Sequence, residues 1–148
     1  MHELCIRKGS FEISTEKSRL DTELIHRFLS EEANWSKDIP RERVERAIAN
    51  ALCFGVFEGK SQIGFARVIS DFATIAYLGD VFILKEYRGR GLSKWLMQTI
   101  NSHPDLQGLR RWILLTADAH SLYRQYGWVD IADPSRWMER HDPQVYLS

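Results

Sequence analysis

The segment with the clearest chemical content is Arg88-Gly89-Arg90-Gly91-Leu92-Ser93-Lys94. It follows an apolar run, Val81-Phe82-Ile83-Leu84, and precedes Leu92, Trp95, Leu96 and Ile100 at helical spacing. A strand, a glycine-bearing loop and a helix start, in that order, make a cradle for a pyrophosphate. The first turn of a helix carries backbone N–H groups without intrahelical partners, and the helix dipole adds roughly half a positive charge there. Glycines remove the Cβ atoms that would hold a phosphate away from the backbone. Arg88, Arg90 and Lys94 add formal charge. Taken alone, the same residues also read as a surface turn with solvated arginines. Two other phosphate motifs do not fit. No G-x-x-x-x-G-K-[ST] run occurs, and counting from Gly89 the dinucleotide fingerprint meets Lys94 where it requires glycine.

Few other side chains offer chemistry. Asp80 is the one acid within the segment 75–84. It reads equally as a carboxylate that takes a proton through a water and as one that braces a sheet bulge. Tyr123 and His120 share a short amphipathic helix; by periodicity alone they are a packing residue and a surface residue, and Asp118 is placed as the helix N-cap. Glu31 and Glu32 lie in a polar loop, Ser30 to Asp38, around Trp35. Trp35, Trp128 and Trp137 read as core or interface residues. His2, His26, His103 and His141 form no metal-ligand spacing with Cys5 and Cys53, so no metal is expected. A hydrolase triad has no G-x-S-x-G elbow to rest on.

These residues need a scaffold. Phe11 to Ser14 alternates like a strand, and Leu20, Leu24, Ile25, Phe28 and Leu29 share a helical face. Pro40 suits the first turn of a second helix carrying Val44, Ala47, Ile48 and Ala51. Residues 53–58, 62–69 and 75–84 read as a meander, with Ser70-Asp71 near the second bend. After the glycine loop and its helix come a strand at 111–115, a helix at 119–126, and weaker strands at 129–131 and 137–140. The order is mixed α/β and lacks the regular alternation of a doubly wound sheet.

With 148 residues, the expectation is one domain spanning 1–148. Twenty basic and 20 acidic residues cancel, which argues against a duplex nucleic-acid binder. No apolar run approaches a membrane span, the start lacks a signal-peptide core, and two cysteines outside any C-x-x-C pair suit a reducing, cytoplasmic setting.

E-Y-R-G-R-G-L-S-K-W-L resembles the acyl-CoA-binding signature R/Q-x-x-G-x-G/A of GNAT-type N-acetyltransferases, with Arg88 and Gly91 in register and Ser93 where glycine or alanine is usual. A-H-S-L-Y-R-Q-Y-G-W at 119–128 resembles the family's A-x-x-[FL]-Y-x-x-x-G-[FW] run. The resemblance covers roughly residues 10 to 130. It implies a mostly antiparallel central sheet, split between the fourth and fifth strands (75–84 and 111–115 here) and flanked by about four helices. It implies acetyl-CoA as co-substrate. Pantetheine would pair with backbone at Val81, Phe82 and Ile83, and pyrophosphate would lie on Arg88, Gly89, Arg90, Gly91, Leu92, Ser93 and Lys94. Thr116 stands where the family often has an asparagine contacting pantetheine, keeping a hydroxyl and losing the amide. An amine would attack the thioester directly, with Tyr123 stabilising the leaving thiolate; of the residues singled out above, Asp80 is the candidate base, with His120, read first as a surface residue, behind it. The acceptor, a small-molecule or peptide amine, would meet residues of about 30–38 and 130–146. A homodimer is left open. The alternative is the same fold holding CoA for regulation, without turnover.

Overall fold

The computed structural model describes residues 2–147 and divides into two units between Leu115 and Thr116. The first unit carries six strands: β1 (Cys5–Lys8), β2 (Phe11–Ser14), β3 (Leu52–Glu58), β4 (Ser61–Ser70), β5 (Ile75–Ile83) and β6 (Arg111–Leu114). They form one sheet in sequential order. Every neighbouring pair is antiparallel except β5 and β6, which run parallel. The same unit carries α1 (Thr22–Arg27), α2 (Arg41–Ala49) and α3 (Leu92–Ser102), and the second carries α4 (His120–Arg124). Mixed architecture, a mostly antiparallel sheet and four helices agree with the sequence reading.

Strand β1 is the first departure. It precedes the expected first strand, so the expected fourth and fifth strands are β5 and β6. Its side chains are mostly exposed, and an edge strand of that kind leaves little apolar alternation to read. The strands expected at 129–131 and 137–140 do not form; both stretches are irregular. Val129 and Met138 are 83% and 97% exposed, so neither stretch buries an apolar face. A short 3-10 turn at Pro134–Arg136 separates them.

Alternation along the strands sets the two faces of the sheet. Phe65 on β4 pairs with Phe82 on β5, and Phe82 stacks on Phe28, in the π-type turn that extends α1, with ring centroids 3.9 Å apart. Phe54 and its partner Ala66 face the other way, where Phe54 meets His103, just past α3, edge-on at 5.7 Å. Helix α3 buries Leu92, Trp95, Leu96, Met97, Thr99 and Ile100. Each large apolar side chain so buried contributes about 1.5–3 kcal/mol. The β4–β5 bend lies at Asp71 as expected. Its carboxylate accepts from the Thr74 hydroxyl at 2.5 Å and from the N–H groups of Ala73, Thr74 and Ile75 at 3.0, 2.8 and 3.2 Å, and these bonds, the hydroxyl's foremost, hold it far below the usual carboxylate range.

Candidate active site

Strand β5 changes character at its middle. Residues Ile75 to Leu78 pair with β6 from Arg111 to Leu114, and the pairing ends there. On the other side β5 stays paired with β4, but the register slips: Phe82 faces Phe65 and Gly79 faces Arg67. One extra residue on β5 makes a bulge, a device that re-aims side chains and ends pairing. Asp80 sits in it at φ 53°, a left-handed conformation that aspartate tolerates better than most residues. Beyond the bulge, among the described residues, Val81, Phe82 and Ile83 pair with no strand on the β6 side, as a backbone edge that takes an extended ligand requires.

The bulge turns Asp80 to two partners. One carboxylate oxygen accepts from Trp35 Nε1 at 2.9 Å and the other from Arg67 Nε at 2.8 Å. The Asp80 and Arg67 side chains are 12% and 18% exposed. Sequence reading found Asp80 but neither partner. An arginine inside the otherwise apolar run Ile63 to Ile69 was the available signal for Arg67. Trp35 is not a core residue; it is 58% exposed.

After β5 comes the glycine loop. Gly89 and Gly91 have φ of 80° and 77°, and an added Cβ at either would meet nothing within 4 Å. Glycine is needed here for the left-handed turn and to keep the surface clear. Gly91 is the N-cap of α3, with no side-chain cap and no acid in the first turn. The amides of Leu92, Ser93 and Lys94 precede the first helical bond, Trp95 N–H to Gly91 O at 3.1 Å. The arginines do more than add charge. Arg88 Nε donates to Ile83 O at 2.9 Å, tying the loop to the end of β5. Arg90 donates to Glu86 O at 3.3 Å and lies over the Tyr87 ring at 5.2 Å. This loop, the β5 edge and Asp80 all belong to the first unit. The cradle fits a pyrophosphate joined to an extended arm.

In the second unit, Tyr123 is buried on α4, with its ring edge-on to Trp128 at 6.0 Å. Burial, and secondarily the charge of Asp118, push its phenol above the ordinary value, so the hydroxyl is a proton donor at neutral pH. Asp118 is not the N-cap: Ala119 occupies that position without a side-chain bond. Just before the helix, the Thr116 hydroxyl accepts from Ala119 N–H at 3.0 Å. His120 is exposed at the start of α4. Among the described residues no group of three or more His, Cys, Asp or Glu could hold a metal ion, and no helix is long and apolar enough to cross a membrane.

Comparison with known proteins defines the class as acetyl transfer. The model of the acetyltransferase (GNAT) domain matches residues 49–130, more than half of the chain. A candidate acetyltransferase of Gibberella zeae is 32% identical over 138 residues, covering 78% of this chain and 77% of that protein. The crystal structure of a candidate GNAT-family acetyltransferase from Xanthomonas campestris pv. campestris is 55% identical, with a TM-score of 0.91 over 93% of this chain and 97% of that one. A candidate acetyltransferase from Clostridium acetobutylicum, crystallised with acetyl-CoA, shares the fold at 15% identity and a TM-score of 0.55, over 84% of this chain and 86% of that one. The chain belongs to the GNAT acetyltransferase family and is an N-acetyltransferase. The fold uses acetyl-CoA, and its enzymes act on amine acceptors.

Proposed function

We propose that residues 1–148 act as a single acetyltransferase domain that moves an acetyl group from acetyl-CoA to a primary amine by direct attack. The observation that carries this reading is the uncapped, glycine-built start of α3 beside the unpaired β5 edge. The family match at 49–130 runs across the division at Leu115 and Thr116, which supports one domain. An exposed Cys5 and a buried Cys53, both unpaired, suit the cytoplasm.

Acetyl-CoA supplies an activated thioester, which an amine attacks with release of the CoA thiolate. The amides of Gly89 to Ser93 and the charges of Arg88, Arg90 and Lys94 hold the pyrophosphate. Backbone groups of Val81, Phe82 and Ile83 hold the pantetheine arm, with Thr116 as a further contact. The same strand edge offers N–H groups to the developing oxyanion. A primary amine has a pKa near ~10 and arrives protonated. Asp80 is the carboxylate nearest in sequence to that edge. Each of its oxygens already accepts one bond, and a carboxylate oxygen has room for a second, so a water there can pass the ammonium proton to it. Tyr123 donates its hydroxyl to the leaving thiolate. An ordinary phenol at ~10 and a thiol at ~8.5 make full proton transfer uphill by ~2 kcal/mol. Burial raises Tyr123 further, so its contribution is a hydrogen bond with partial transfer.

Release of CoA thiol, followed with acetyl-CoA and a panel of primary amines, tests the activity. Tyr123→Phe keeps the ring and removes the hydroxyl; kcat should fall about 10²-fold, the lower end for general acid catalysis, with acetyl-CoA affinity unchanged. A wild-type rate in the folded variant would return Tyr123 to a packing role.

A further inference from the structure

Trp35 stands apart from the other large aromatic side chains of the first unit. The loop around it is tied down: Ser36 Oγ donates to Leu29 O at 2.7 Å, Asp38 N–H to Ser30 O at 3.0 Å, and the His26 ring bonds Ile39 O at 2.9 Å. Its neighbours Ala33, Ser36 and Ile39 are buried, yet Trp35 itself is 58% exposed. The exposure is therefore not that of a loose loop. The indole edge is fixed by its bond to Asp80, across 45 positions of sequence. That bond spends the only polar atom of the ring, because an indole is a donor and nothing else. What the ring still offers is its π face. A carboxylate in a strand bulge at positive φ lies at its rim, one residue from the open edge Val81–Ile83.

An aromatic face attracts cations and repels anions. A carboxylate beside it does the same. Arg67 donates to the second Asp80 oxygen and offsets part of the carboxylate's charge, so the preference against anions rests first on the indole face. We infer that Trp35, held in place by Asp80 and Arg67, recognises the acceptor, and that the acceptor is a primary ammonium with an aromatic or apolar body and no acidic group beside the amine. The body lies on the indole face and the ammonium turns toward Asp80, at the end of the strand where the acetyl group is presented. Arg67 is a positioning residue: it orients the carboxylate that orients the indole. The inference rests on the acetyltransferase reading and narrows it to one substrate class.

The test compares wild type, Trp35→Ala and Trp35→Phe with three acceptors: phenethylamine, phenylalanine and glucosamine 6-phosphate. Phenylalanine is phenethylamine with a carboxylate added next to the amine, so the pair isolates the predicted exclusion. Wild type should show kcat/KM for phenethylamine at least ~10-fold above either acidic acceptor. Trp35→Ala should raise the phenethylamine KM by about tenfold, within the range of an aromatic pair contact, with kcat changed less and acetyl-CoA affinity unchanged. Trp35→Phe keeps a ring but loses the bond to Asp80, and should fall between the two. An unchanged KM in Trp35→Ala, a preference for an acidic acceptor, or acetyl-CoA binding without turnover of phenethylamine overturns the inference while leaving the cofactor reading intact. Failure of the wild type to bind acetyl-CoA by calorimetry overturns the acetyltransferase reading, and the inference with it.

Discussion

Helix α3 begins and ends in opposite ways. At its start, Gly91 provides no side-chain cap, and the first turn holds no acid. At its end, side chains close the backbone. Gln107 Nε2 donates to Asn101 O at 2.8 Å and to His103 O at 2.9 Å, and Ser102 Oγ donates to Thr99 O at 3.2 Å. The His103 ring is fully buried and accepts Asp105 N–H through Nδ1 at 3.1 Å. A side-chain cap at a helix start stabilises by about 1 kcal/mol over alanine and by a few tenths over glycine. The molecule forgoes that at one end and seals the other. A helix built only for stability would be closed at both; on the proposed reading, the bare end keeps its amides for the pyrophosphate.

Two substitutions test the bare end. Gly91→Val should have the larger effect. No neighbour crowds the position, so the cost is conformational, about 1–2 kcal/mol for a left-handed residue with a Cβ, together with a branched side chain over the amides. Acetyl-CoA affinity measured by calorimetry should fall at least ~10-fold, with a modest loss of Tm. Equal affinity in a folded Gly91→Val protein would remove the cradle. Ser93→Asp should separate binding from stability. An acid in the first turn complements the dipole, typically by 0.3–1 kcal/mol, so Tm should rise slightly. The same charge competes with pyrophosphate, so acetyl-CoA affinity should fall several-fold. If affinity and stability rise together, the start of α3 is an ordinary helix end.

The two ends of α3 also differ in how far they are legible in sequence. The start is written locally: two glycines, flanking charges and a helical stripe lie within about a dozen residues, and the resemblance to a family signature falls on those residues. The bulge at Asp80 is not written locally. It exists because β4 and β5 pair out of step, and its partners Trp35 and Arg67 are brought to it by the tertiary fold. Hence Asp80 was recognisable as a lone acid in a strand, with a bulge among its readings, while its positive φ and its hold on Trp35 were not. Arg88 is an intermediate case: its membership of the loop was readable, and its bond back to Ile83 O was not. The tail misled for the opposite reason. Val129-Asp130-Ile131 alternates like a strand, but alternation becomes a strand only with a pairing partner, and these residues have none in the sheet. The His103 closure was equally hidden, since a histidine before Pro104 carries no local sign of burial.

The smallest predicted effect lies at that sealed end and concerns pH. Nδ1 of His103 accepts a hydrogen bond from Asp105 N–H, so the ring is neutral with its proton on Nε2, which has no partner in a fully buried position. Protonating Nδ1 would set two donors against each other and place a charge beside Phe54. Burial accordingly holds the His103 pKa below its ordinary value, against the opposing pull of Asp105. The unfolded chain therefore takes up the proton first as pH falls. The stabilisation is complete above the unfolded value of about 6.5 and is lost as pH drops through it toward the lower folded value, the reverse of a histidine paired with an acid in the folded state. Asp105 works in a separate window: His2 holds its carboxyl below the usual range, so its contribution is lost only below about pH 4. Thermal melts between pH 7.5 and 5, in a His2→Gln background to remove the imidazole paired with Asp105, should show Tm falling with acidity by a few degrees. His103→Asn retains an acceptor for Asp105 N–H and does not titrate. It should melt lower throughout because of lost packing, with a flatter pH dependence, and should bind acetyl-CoA like its parent at pH 7.5. An equally steep decline in His103→Asn would move the acid sensitivity elsewhere. A fall in acetyl-CoA affinity would show that the two ends of α3 are coupled, contrary to the division of labour drawn between them.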